Sequence, residues 1–299
     1  MTIRTLLACT LLSAFTTVVQ AQAVDVKIPV QTVDAKLRAR LPPEILSAGV
    51  MTAVNNGSFP PYEIVTGTHS AIGASVDLTK ALGEMLGIRI EHATVNGLAA
   101  ILMGIKGGRY QFAIGPHGDF PDRQAHNDFV DFVQEYVVFA VTKGNPKAIN
   151  GLDDTCGKRI AVMAAGSAEK VIKRQAEICK EAGKPALEVQ SYQDQPTSTL
   201  AVRSGRADAF FSSQAPLTYF VAQSGGALEL AGTGKKNGFG DLYQGSITPK
   251  GSALTGVLLE AYEKLFDNGS YAAIMKKWGL QGNMLKAPGV NLSNMVVGK

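Results

Sequence analysis

The 299-residue chain lacks the motifs of several common functional classes. It has no G-x-S-x-G segment for a serine nucleophile, no P-loop and no dinucleotide-binding fingerprint. Its net charge is only +4, which is too small to indicate a nucleic-acid partner. After the N-terminal segment, no apolar stretch approaches the ~20 residues of a membrane-spanning helix.

Cysteine is scarce, with three residues in the whole chain. Cys156 and Cys179 are the only two beyond the N-terminal segment, and two cysteines alone cannot form a four-ligand structural zinc site. An oxidising compartment would favour a disulfide between them, and two separate buried thiols are the alternative.

The first 23 residues have the pattern of a signal peptide. Arg4 supplies the positive start, residues 6–19 are apolar or small, and Ala21-Gln22-Ala23 offers a small-x-small cleavage site. Cys9 ends a segment similar to a lipoprotein cleavage box, but it lies too early because the apolar run continues past it. The sequence therefore predicts an exported, periplasmic protein.

Strands and helices alternate along most of the remaining chain, which predicts an α/β fold with largely parallel sheets. The length exceeds that of a typical single-core domain and favours two lobes. Residues 24–44 are expected to pack as an N-terminal extension. The predicted strands are 50–54, 88–91, 112–114, 136–142, 159–163, 187–192, 207–211 and 227–230. A helix that Ser75 would cap is predicted to follow this residue, and further helices are predicted over 98–105, 167–181, 199–205, 215–224, 254–266 and 270–278.

The most informative stretch is 107–123, where a short apolar strand ends in glycines and Arg123 follows a brief loop. A guanidinium offers a planar fork that matches a carboxylate, and backbone N–H groups of such a loop can bind an anion. A surface arginine after a strand is the simpler alternative.

Six segments of the chain resemble family 3 periplasmic solute-binding proteins of amino-acid ABC importers. They include an aromatic-Pro loop, a G-x-x-x-D-L helix entry, the arginine segment with the strands after it, and a G-R-x-D-A turn. The segments are 53–62, 72–78, 107–142, 157–167, 204–209 and 247–279.

The resemblance implies a type II periplasmic-binding-protein fold with two crossover hinge strands and a central ligand cleft. Residues 45–141 and 244–299 would form lobe 1, and residues 142–243 would form lobe 2. The expected partners are a small carboxylate ligand, such as an amino acid, and an ABC permease that reads the closed form. A monomer without a cofactor or metal is expected.

The resemblance also assigns roles to residues of the expected cleft. Arg123 would bind the ligand carboxylate, Phe59 would cover the ligand and Asn56 would read its side chain. Gly166 and Ser167 would meet the carboxylate at a helix N-terminus. Phe59 as a core aromatic and Ser167 as a plain helix cap are the alternatives.

Two positions depart from the family pattern. Gly118 stands where the family usually has Ser or Thr, so only its backbone can contact the ligand. Ser213 stands where the family has its amine-binding acid, and a hydroxyl cannot neutralise a buried ammonium. Either another acid, such as Asp119, supplies that charge, or the ligand lacks a standard α-ammonium.

Other functions remain open on the same fold. A cyclohexadienyl dehydratase-like enzyme would need an acid or base in the cleft, and His117, Asp119 and Asp122 are the candidates. A metal site from His117, Asp119 and His126 has no recognisable ligand spacing. A sensor that passes its ligand state to a membrane receptor would use the same cleft. The prediction is a binding protein with no catalytic residues.

Overall fold

A computed structural model describes residues 26–67 and 70–294. The predicted signal peptide lies outside the described residues. The helices are α1 (Ala35–Arg38), α2 (Pro43–Ala48), α3 (Ala74–Leu86), α4 (Leu98–Lys106), α5 (Pro121–Gln124), α6 (Ser167–Glu181), α7 (Gln195–Arg203), α8 (Gln214–Gln223), α9 (Ala253–Asp267) and α10 (Ser270–Lys277). The strands are β1 (Val50–Asn55), β2 (Ser58–Phe59), β3 (Glu63–Gly67), β4 (Ser70–Ile72), β5 (Arg89–Thr94), β6 (Phe112–Gly118), β7 (Asn127–Glu135), β8 (Val137–Thr142), β9 (Arg159–Met163), β10 (Glu188–Tyr192), β11 (Ala209–Ser213), β12 (Leu228–Ala231), β13 (Leu242–Pro249) and β14 (Met284–Val290).

The strands form two large mixed sheets and one small antiparallel sheet. The first sheet has the order β14-β7-β13-β6-β1-β5, and the second has the order β10-β9-β11-β8-β12. In the first, β1 runs parallel to β5 and β6, whereas β13 is antiparallel to β6 and β7. In the second, β9 is parallel to β10 and β11, whereas β8 is antiparallel to β11 and β12. Each large sheet has its own core, as two lobes require.

The chain crosses between the large sheets twice. Strand β7 of the first sheet is followed directly by β8 of the second, with only Tyr136 between them. The return follows β12 and enters the first sheet through β13. Residues 137–141, which the predicted division assigned to lobe 1, therefore pair within the second sheet. We propose that the chain passes from lobe 1 to lobe 2 at Tyr136 and returns to lobe 1 in the segment before Leu242.

Helix α9 shows how sequence periodicity specifies the packing of lobe 1. Its apolar residues recur at helical spacing, and the predicted face is the one that the structure buries. Ser252 caps the helix, since its Oγ accepts a hydrogen bond from the Leu254 N–H at 3.2 Å. The N-terminal extension contributes Leu37 and Leu41 to the same core.

Helices α3 and α7 both begin before their predicted starts. Helix α3 begins at Ala74 rather than at a Ser75 cap, and its N-cap Gly73 has a φ of 136°, which a side chain rarely adopts. Ser75 is buried and donates its hydroxyl hydrogen to the Gly115 carbonyl instead. Helix α7 starts four residues earlier than predicted, because Asp194 accepts a hydrogen bond from the Thr197 N–H and fixes its first turn.

The disulfide between Cys156 and Cys179 is confirmed, with a Cα–Cα distance of 5.6 Å. It fastens the segment before β9 to the last turn of α6, within the core of the second sheet. No helix within residues 26–67 and 70–294 is both long and apolar enough to span a membrane.

Candidate ligand-binding site

A narrow cavity of about 50 Å³ lies where the two lobes meet. Lobe 1 supplies the segment 56–63, the start of α4, the carboxyl end of β6, helix α5 and strand β13. Lobe 2 supplies the end of β9 and the start of α6. The lining residues are Asn56, Phe59, Glu63, Leu98, Pro116, His117, Gly118, Arg123, Met163, Gly166, Ser167 and Gln244.

Arg123 places a buried positive charge on this cavity. Its Nη1 donates to the Gly118 carbonyl at 2.9 Å, and its guanidinium lies 5.0 Å from the centre of the Phe120 ring. Burial lowers the pKa of Arg123 to about 10, so the group stays charged at neutral pH. Within the described part of the chain it forms no ion pair. A fixed guanidinium without a carboxylate partner can bind an anionic ligand.

The same segment joins the two lobes. Arg123 Nη2 donates to the Ala165 carbonyl of lobe 2 at 3.2 Å. Asp122, next to it, forms an ion pair with Lys170 of α6. Ala165 has a φ of 59°, which is uncommon for a residue other than glycine and occurs often at ligand sites. The lobes are therefore in contact around the cavity, which is the geometry of a closed cleft.

The start of α6 lines the same cavity as the Arg123 guanidinium. Gly166 is the N-cap residue and Ser167 opens the helix, and no side chain caps its first turn. The N-cap position is therefore taken by Gly166, and the Ser167 hydroxyl does not cap the helix. The first N–H groups of a helix have no intrahelical acceptor, and they favour an anion.

Asn56 and Phe59 lie on the cavity wall formed by lobe 1. Asn56 Oδ1 accepts a hydrogen bond from the Ser58 N–H at 3.2 Å and shapes the turn before β2. Phe59 packs partly against the lobe 1 core and also lines the cavity, so the two interpretations of this aromatic hold together.

The structure gives a physical reason for glycine at position 118. A Cβ there would lie 2.5 Å from Cε2 of Phe120, the ring that supports Arg123. The residue therefore contributes only backbone, and its carbonyl fixes the guanidinium.

Ser213 and Asp119 are absent from the cavity lining. Ser213 ends β11, where it pairs with Val137 and precedes α8. Asp119 is fully buried and accepts hydrogen bonds from Gln124 Nε2 at 2.7 Å and from the Ser293 N–H at 2.8 Å. Burial raises its pKa. The carboxylate is thus held against the C-terminal segment, and the suggestion that Asp119 supplies the missing acid is not supported.

Three polar residues of the cavity were not among the predicted ligand-binding residues: Glu63, His117 and Gln244. Glu63 Oε1, His117 Nε2 and Gln244 Oε1 are buried and have no hydrogen-bond partner among the described residues. Burial raises the pKa of Glu63 to about 8. Burial, assisted by the charge of Arg123, lowers the pKa of His117 to about 3, so this ring is neutral. The only sequence signal for Glu63 was its position directly after the aromatic-Pro loop.

The three candidates for acid–base catalysis do not form one group. His117 lines the cavity, whereas Asp122 pairs with Lys170 and Asp119 faces the C-terminal segment. His126 is exposed. The described ranges contain no group of three or more His, Cys, Asp or Glu residues placed to hold a metal ion.

Residues 51–281 match the family described as bacterial extracellular solute-binding proteins, family 3. The chain belongs to this family. It is 28% identical over 262 residues to arginine-binding protein ArgT of Corynebacterium glutamicum, covering 86% of this chain and 83% of that protein.

Solved structures share the fold. An ancestral arginine-binding protein bound to glutamine has a TM-score of 0.69 at 24% identity, over 78% of this chain and 99% of that one. An ancestral amino acid-binding protein that is a precursor of cyclohexadienyl dehydratase has a TM-score of 0.65 at 20% identity, over 79% and 97% of the two chains. The predicted two-lobed solute-binding fold is confirmed, and the matched region contains every residue of the cavity.

Proposed function

We propose that this solute-binding protein closes around an amino acid and delivers it to an ABC importer. The observation that carries the proposal is the guanidinium of Arg123, which is buried on the cavity between the lobes and has no carboxylate partner in the described chain. The start of α6 faces it from the other lobe. Together they provide a bidentate donor and a helix N-terminus for one ligand carboxylate.

The relatives support the amino-acid class. The arginine-binding name of the Corynebacterium relative and the amino-acid-binding names of the solved structures agree with a ligand that carries a carboxylate. The dispersed positions of His117, Asp119 and Asp122 favour binding over catalysis. The predicted signal peptide supports a periplasmic location, where a monomer would present its closed form to the permease.

The test is calorimetric titration of the mature protein with the twenty amino acids and L-cystine. We expect at least one to bind, and Arg123→Lys to weaken that binding by about 100-fold, since a lysine keeps the charge but loses the planar fork. Thermal unfolding of the variant in the absence of ligand establishes that it folds.

Arg109→Lys is the matched control. Arg109 also lies over an aromatic ring, at 5.3 Å from the centre of Tyr110, but it is exposed and outside the cavity. Its replacement should leave the affinity unchanged. Equal affinity of Arg123→Lys and the wild type would contradict the proposed carboxylate site, and failure of every amino acid to bind would contradict the proposed function.

A further inference from the structure

The cavity contains a second buried ionisable group, Glu63, whose role differs from that of Arg123. Glu63 is the first residue of β3 and is 2% exposed. It pairs with Phe59 across the small antiparallel sheet, so the two side chains project from the same face. Both line the cavity. Phe59, which is expected to cover the ligand, and the Glu63 carboxyl therefore lie on the same wall of the cavity.

The carboxyl of Glu63 lies in an environment that disfavours its charge. Burial raises its pKa to about 8, and the backbone N–H groups of Gly57 and Asn56 oppose this effect only in part. Its Oε1 has no partner within the described ranges, and no Lys or Arg of those ranges pairs with it. A buried carboxylate without a counter-charge is costly, so a cation from the ligand would be favourable there.

The neighbouring polar atoms also suit a donor-only group. Gln244 Oε1 and His117 Nε2 lie on the same cavity without partners in the described chain, and the His117 ring is neutral. A neutral ring nitrogen and an amide oxygen can each accept a hydrogen bond. An ammonium has three N–H donors and no acceptor. Glu63 is the only acid in the cavity lining formed by the described residues.

We propose that Glu63 binds the cationic amine of the ligand, in place of the acid that the family has where this chain has Ser213. The inference rests on the proposed function and specifies its ligand: a small molecule with a carboxylate for Arg123 and an amine or guanidine cation for Glu63. Asp119 does not take this role, because its carboxyl is bonded to Gln124 and to the C-terminal segment.

The test compares Glu63→Gln with the wild type on matched probes. L-arginine is paired with 5-guanidinopentanoic acid, which lacks the α-amine, and with L-citrulline, which lacks the side-chain charge. L-glutamine is paired with 4-carbamoylbutanoic acid, its analogue without the α-amine. We expect Glu63→Gln to weaken binding of the probes that carry the cation bound by Glu63 by about 30-fold or more, and to change binding of the probes that lack this cation by less than about 3-fold.

The probes also distinguish the two sources of the cation. Parallel losses for L-arginine and L-citrulline would identify the α-ammonium, and a loss for L-arginine alone would identify the side-chain guanidinium. Either result supports the proposal. An equal loss for every probe, including 4-carbamoylbutanoic acid, which carries no cation, or no loss for any probe, would overturn it while leaving the role of Arg123 intact. If no amino acid binds the wild type, the proposed function fails and this inference fails with it.

Two further variants separate recognition from folding. Glu135→Gln is the matched control. Glu135 is also a buried carboxyl with a raised pKa, but it accepts a hydrogen bond from the Tyr62 hydroxyl and lies outside the cavity lining. The control substitution should leave the ratio between paired probes unchanged. Glu63→Asp keeps the charge and removes one methylene. If Glu63→Gln does not fold, Glu63→Asp should still prefer the probe that carries the bound cation over its partner without that cation, but by a smaller affinity ratio than the wild type. An unchanged affinity ratio would contradict the proposal.

Discussion

Replacing Cys156 and Cys179 together with alanine should destabilise the protein by a predictable amount. The two cysteines are 23 residues apart, so the disulfide restricts a loop of that length in the unfolded chain. The loss of that restriction corresponds to about 3 kcal/mol of unfolding free energy at 25 °C. For a protein of this size the melting temperature should fall by roughly 6–12 °C.

The assay is urea unfolding followed by circular dichroism, on the variant, the oxidised wild type and the reduced wild type. Because Cys179 is fully buried, the double alanine variant also loses side-chain contacts, and the reduced wild type isolates the effect of the bond itself. The expected order of stability is oxidised wild type, then reduced wild type, then the variant.

Ligand binding should be insensitive to this change. Cys179 lies 12 residues along α6 from Ser167, about 18 Å at the helical rise of 1.5 Å per residue. We therefore expect the affinity for a bound amino acid to change by less than about 3-fold. If the unfolding free energies of the reduced and oxidised wild type differ by less than about 1 kcal/mol, the loop-restriction argument is refuted, because the disulfide would then contribute much less than the expected stabilisation.

Two other predictions concern single residues on neighbouring strands. Burial lowers the pKa of His117 to about 3, so the unfolded chain takes up a proton on this residue at higher pH than the folded chain. The contribution of neutral His117 to the free energy of unfolding is therefore complete above pH ~6.5 and is lost as the pH falls toward 3. The loss amounts to about 2 kcal/mol at pH ~5. His117→Gln should flatten the thermal-unfolding profile in that window, and an unchanged slope would show that other groups cause the acid sensitivity. Gly245→Ala should cost about 2 kcal/mol or more in urea unfolding, because a Cβ would overlap the Val130 carbonyl of the adjacent strand. Gly282→Ala, where nothing lies near the added atom, is the control, and equal stability of the two variants would contradict the steric argument.

Local patterns in the sequence predicted much of the fold. The spacing of apolar residues predicted α9, and helix α6 and strand β9 were predicted with the bounds that the structure has. The short strands β2, β3 and β4 were missed, because segments of two to five residues carry too little periodicity to be read. Strand β14 was missed as well, since its residues are mostly half exposed and lack a clear alternation.

The sequence by itself determined the type of fold and the residue that places a positive charge at its cleft. Helical and strand periods are local properties, and the glycine-rich strand end before Arg123 is contiguous in the chain. Only the tertiary structure decided which acid reaches that cleft. The carboxyl of Asp119, four residues before Arg123, is hydrogen-bonded to Ser293 of the C-terminal segment and lies outside the cavity lining. Glu63, sixty residues from Arg123, lines the cavity. The direction of a strand side chain depends on the register with its partner strand, and pairing between distant segments sets that register.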